Sequence, residues 1–114
     1  MLAWMGFNYL RIRRAAKIVD NEEFEALIRT GQLIDLRDPA EFHRKHILGA
    51  RNIPSSQLKT SLAALRKDKP VLLYENQRAQ RVTNAALYLK KQGFTEIYIL
   101  SYGLDSWKGK VKTS

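Results

Sequence analysis

The stretch VLLYENQRAQRVTNAALYLKKQG, residues 71–93, decides the fold. It opens on an apolar run, Val71-Leu72-Leu73-Tyr74, preceded by Pro70. A continuous apolar run of this length reads as a strand buried on both faces of a parallel sheet. From Val82 to Gln92, the residues Val82, Ala85, Ala86 and Leu89 recur at helical spacing, and Gly93 supplies a stop. Between strand and helix lies a polar loop, Glu75-Asn76-Gln77-Arg78-Ala79-Gln80-Arg81. In α/β proteins a loop from the C-terminal end of a parallel strand into a helix is where ligands bind. The free amides and the dipole of the helix N-terminus favour an anion there.

Outward from this unit, strands and helices alternate. Lys17-Ile18-Val19 reads as a short strand. Asp20 precedes Glu23 by three residues in the manner of a capping box, and Phe24, Leu27 and Ile28 share one face of the helix that follows. Gly31 ends that helix, and Leu33-Ile34-Asp35-Leu36 is the next strand. Ala50 to Ile53 reads as another strand, stopped by Pro54. Ser55 or Ser56 is placed to cap a helix containing Leu58, Leu62 and Leu65. Glu96 to Leu100 is a further buried strand. The alternation predicts an α/β, three-layer fold: a mostly parallel, five-stranded sheet with helices on both faces. Residues 1–16 read as an N-terminal segment, 17–110 as the domain and 111–114 as a basic tail.

Several of these stretches together resemble the rhodanese-like (sulfurtransferase) family. In LIDLRDPAEFHRKHILGARNIP, Asp35 and Arg37, Glu41 and Phe42, His46 and Ile47, and Gly49 and Ala50 fall in step with that family's N-terminal signature. Gly103 and Trp107 match its C-terminal one, with Tyr102 replacing a glycine. In the family a cysteine follows the central strand and an arginine closes the loop. Arg81 matches the arginine, whereas Glu75 stands in the cysteine's place. The loop is one residue longer than in typical sulfurtransferases, similar to the related phosphatases and arsenate reductases. Ala79 and Val82 replace the family's loop glycine and serine. The resemblance implies the rhodanese-like fold and, for a complete site, sulfur transfer through a persulfide.

The chain of 114 residues contains no cysteine. That excludes disulfides, thiolate catalysis and most structural zinc sites. No cofactor is expected. His43 and His46 are three apart without a third ligand at suitable spacing, so no metal is expected; a helix-end histidine bonded to backbone is the favoured reading. Two readings stand for Asp35 and Arg37. As structure, a buried acid needs a base as partner; as function, the two residues line the mouth of the site. The structural reading is favoured.

The net charge is +9. No nucleic-acid recognition motif accompanies it, so nucleic acid is not an expected partner. MLAWMGFNYL, residues 1–10, is apolar and aromatic, and RIRRAAK follows at once. Ten helical residues rise about 15 Å, half of a bilayer core. Residues 1–17 therefore read either as a partial membrane anchor with its positive flank on the cytoplasmic side, or as a helix packed on the domain or a partner. The expected location is the cytoplasmic face of a membrane, or the cytoplasm.

A carboxylate cannot form a persulfide, and no other thiol exists in the chain. The expectation is a non-catalytic binding or regulatory module with an unidentified protein partner. The 75–81 loop is its recognition surface. The alternative is an enzyme, a sulfurtransferase or a phosphatase-like activity using that loop. If the loop curls as the resemblance implies, its amides and Arg81 form an anion cradle. Glu75 then either plugs that cradle, leaving weak binding of phosphate or sulfate, or points to water.

Overall fold

The computed structural model describes residues 16–77 and 80–113. A five-stranded sheet forms the centre. Its members are β1 (Lys17–Val19), β2 (Gln32–Asp35), β4 (Arg51–Asn52), β5 (Val71–Tyr74) and β6 (Ile97–Leu100). All neighbouring pairs are parallel, in the order β1-β6-β5-β2-β4. β5 lies in the middle, and all four of its residues are buried. The register sets Asp35 of β2 beside Tyr74 of β5 on one side and Asn52 of β4 on the other.

Alternating side chains separate two cores, one on each face of the sheet. Ile34, Val71, Leu73, Ile97 and Ile99 point to the first, which α3 (Gln80–Lys91) covers with Val82, Ala85, Ala86 and Leu89. Leu33, Leu72, Tyr74 and Leu100 point to the second, covered by α1 (Asn21–Ile28) through Phe24, with Leu27, Ile28 and Trp107 at its margin. The Asp20 carboxylate accepts the Glu23 amide at 2.9 Å, so α1 starts where the sequence places its cap. A short α2 (Pro39–Arg44) follows β2.

Two local expectations are corrected. No α-helix spans residues 55–65; that stretch holds two 3-10 turns, Ser55–Gln57 and Leu62–Ala64. Ser and Thr side chains compete for backbone groups, and here the Thr60 hydroxyl donates to the Gln57 carbonyl at 3.0 Å. The leucines still reach the first core, Leu58 and Leu65 being buried. The C-terminal stretch is not a plain tail either. Val111–Lys112 forms β7, antiparallel to β3 (His46–Ile47). Backbone amides and carbonyls drive this pairing, which is why side-chain periodicity did not reveal it. The N-terminal segment, including the suggested anchor, lies outside the described residues. Among the described residues no helix is long and apolar enough to cross a membrane.

Candidate functional site

The site lies at the C-terminal end of β5, where the chain leaves Tyr74 and turns into α3. Glu75 does not point to water. It is only 8% exposed, and its Oε2 accepts the backbone N–H of Val82, in the first turn of α3, at 2.9 Å. The carboxylate thus takes one of the orphan amides at a helix N-terminus. Burial pushes its pKa up; the Val82 amide and then the Arg81 charge pull it part of the way back. That helix amide is therefore bonded within the chain, by the residue that follows β5.

The backbone of the loop is fastened from below. The Glu75 carbonyl accepts the Leu104 amide at 2.8 Å and the Asn76 carbonyl accepts the Asp105 amide at 3.0 Å. Gly103 makes this approach feasible. Its φ is +68°, and a Cβ there would collide with the carbonyls of Glu75 and Asn76. Trp107 sits nearby with its ring edge-on to Phe24, centroids 6.0 Å apart, and its Nε1 donates to the Lys110 carbonyl. It is a packing residue of the second core.

A buried ion pair fastens the other side. Asp35 is fully buried, and its carboxylate receives Nη2 of Arg37 at 2.8 Å, Nε at 3.1 Å and the Arg37 amide at 2.9 Å. Burial opposes the Arg37 charge, but the bonds to Asp35 outweigh it and hold the guanidinium above its ordinary pKa. Arg37 then reaches out of the core, donating Nη1 to Asn76 Oδ1 at 3.1 Å and Nη2 to the Lys45 carbonyl. Asn76 in turn donates to Glu41 at 2.8 Å. The pair is structural, and it also grips the loop. The Tyr74 hydroxyl accepts the Ile47 amide at 3.0 Å. Burial, with Asp35 beside it, pushes that phenol far above its usual range.

The remaining sequence-derived residues are dispersed. Gln77 is exposed, with its amide 3.4 Å from Asp105. Gln80 donates to Asn84 at 2.8 Å, along the exposed side of α3. Arg81 is exposed, and Arg78 and Ala79 lie outside the described residues. His46 is buried, its Nδ1 2.8 Å from the Phe42 carbonyl and its ring stacked on Phe42 at 3.8 Å, while His43 faces solvent. Sequence reasoning missed the use of Glu41 and Asn52 as loop and strand clamps. Asn52 donates to the carbonyls of Asp35 and Arg37. No local spacing signals contacts between residues so far apart in the chain.

A profile of the rhodanese-like domain matches residues 20–110. The chain belongs to the rhodanese-like domain family. The uncharacterized protein YqhL of Bacillus subtilis (strain 168) is 49% identical to it over 111 residues, spanning 97% of this chain and 87% of that relative. The thiosulfate sulfurtransferase GlpE of Stutzerimonas stutzeri (strain A1501) is 35% identical over 95 residues, spanning 81% of this chain and 84% of the relative. Among solved structures, a rhodanese-related protein of Thermoplasma volcanium superposes with a TM-score of 0.77 at 23% identity, covering 86% of this chain and 99% of that one. This rhodanese-like chain carries Glu75 at the end of its central strand and has no cysteine anywhere.

Proposed function

We propose that this chain is a non-catalytic rhodanese-like binding module, with Glu75 acting as a built-in occupant of its own anion cradle. The observation that carries the proposal is the buried Glu75 carboxylate on the Val82 amide, in a chain without cysteine. Sulfur transfer needs a thiolate that accepts sulfur, and a carboxylate offers none. A free phosphate or sulfate has to compete with a tethered carboxylate, so such anions bind weakly at this loop. What remains is a rigid scaffold presenting a polar loop, the arrangement in which recognition residues concentrate. Residues 1–17, apolar and then basic, suit association with the cytoplasmic face of a membrane. Flotation of the full chain with anionic vesicles tests that part, and absence from the vesicle fraction refutes it.

The second reading is enzymatic, and its support is the 35% identity to a thiosulfate sulfurtransferase. Fold does not fix function. The two readings separate by assaying thiosulfate-to-cyanide sulfur transfer and aryl-phosphate hydrolysis on the native chain beside Glu75→Cys. The expected result is no turnover by the native chain. Native turnover comparable to that of the cysteine variant refutes the module.

A further inference from the structure

A groove of about 270 Å³ opens beside the loop, between the Ser55–Gln57 turn and the outer side of α3. Its floor is apolar, formed by Leu58 and Ala85, both buried members of the first core. Tyr88 forms one wall, half-buried, with the Lys59 ammonium 5.7 Å from its ring. Arg81 stands at the end nearest the loop. Lys59 and Arg81 are exposed.

The charged residues that line this groove, Lys59 and Arg81, are both basic. No acidic residue occurs between Glu41 and Asp68, the stretch that supplies one wall. None occurs between Glu75 and Glu96, the stretch that supplies the other. Both walls thus come from acid-free sequence, although the chain has 11 acidic residues. An apolar floor takes a large apolar side chain, and a cationic rim takes carboxylates around it. The chain's own first 15 residues do not fit, because they carry bases and no acid. A nucleic acid suits the rim, but the floor offers its phosphates no partner.

We infer that this groove docks an acidic peptide segment of another protein, anchored by one aliphatic or aromatic side chain seated between Tyr88, Leu58 and Ala85. This rests on the binding-module reading and names the chemistry of the partner. Acidic flanks steer the segment toward Lys59 and Arg81, and the apolar anchor sets its residence time.

The test is selection of a phage-displayed library of random peptides on the full chain, followed by anisotropy titration of the selected peptides. The inference expects sequences rich in Asp and Glu around a Leu, Ile, Phe or Trp. It expects their Kd to rise about tenfold in Lys59→Glu and in Tyr88→Ala, and to rise with added salt. Lys59 is exposed, so Lys59→Glu is read on a folded protein even if Tyr88→Ala disturbs packing. Neutral or basic selected peptides, no selectable peptide, or affinity unchanged in both variants overturns the groove. Peptides held by the 75–77 loop and indifferent to both variants overturn the groove while leaving the module reading intact. Turnover by the native chain removes that reading without altering the groove measurement.

Discussion

Replacing Arg37 with Ala removes the guanidinium from a carboxylate that has no access to water. Asp35 then loses Nη2 at 2.8 Å and Nε at 3.1 Å, and keeps the residue-37 amide at 2.9 Å. Taking one member from a buried ion pair costs about 3–5 kcal/mol. The surviving amide and the neighbouring Tyr74 hydroxyl place the cost near the lower end, about 3 kcal/mol. Asn76 also loses its Arg37 bond, but it retains Glu41. For a domain of this size 1 kcal/mol corresponds to roughly 4–8 °C, so the melting temperature falls by about 15 °C. Urea unfolding of the native chain, Arg37→Ala, Asp35→Asn and the double variant measures the coupling. The double variant is expected to be more stable than Arg37→Ala, since no charge is then stranded. A cost below about 1 kcal/mol, or a double variant no more stable than Arg37→Ala, refutes the view that this pair carries the sheet end.

Two further expectations concern the loop. The folded-state pKa of Glu75 is raised, chiefly by burial. Its contribution to stability is therefore full below the ordinary glutamate range and lost as pH rises through the raised value. Glu75→Gln keeps an acceptor for Val82 and should gain on the native chain over that window. Melting curves across mildly acidic to neutral pH check this, and a pH-independent difference refutes it. Gly103→Ala combines a positive φ with a collision against two loop carbonyls, so it should destabilise by about 2 kcal/mol or more. Hydrogen exchange should show earlier loss of protection at the Leu104 and Asp105 amides, and unchanged protection there counts against the Gly103 seat.

The fold was legible wherever the chain obeys one period. Val71–Tyr74 could only be a doubly buried strand, and Val82, Ala85, Ala86 and Leu89 drew the helix beside it. Asp20 announced its cap because capping is a local, three-residue event. The 58–65 stretch misled for the same reason. Its leucines have helical spacing, but the backbone there makes two separate 3-10 turns. At the site, the substitution at position 75 was plain from the sequence, whereas the direction of its side chain was not. That direction depends on the Val82 amide and on the sheltering Gly103 turn. The link from Arg37 to Asn76 spans 39 positions and leaves no periodic trace.

The place of β1 bears on how the protein is made. Among the described residues its one partner in the sheet is β6, so Lys17 waits for Tyr98 and Val19 for Leu100. During synthesis β1 emerges about 80 residues before the strand it pairs with, so most of the described polypeptide must be out before that edge can close. Chains that stop short of residue 97 leave β1 without a neighbour, and they should be prime targets for the quality-control proteases of the cell.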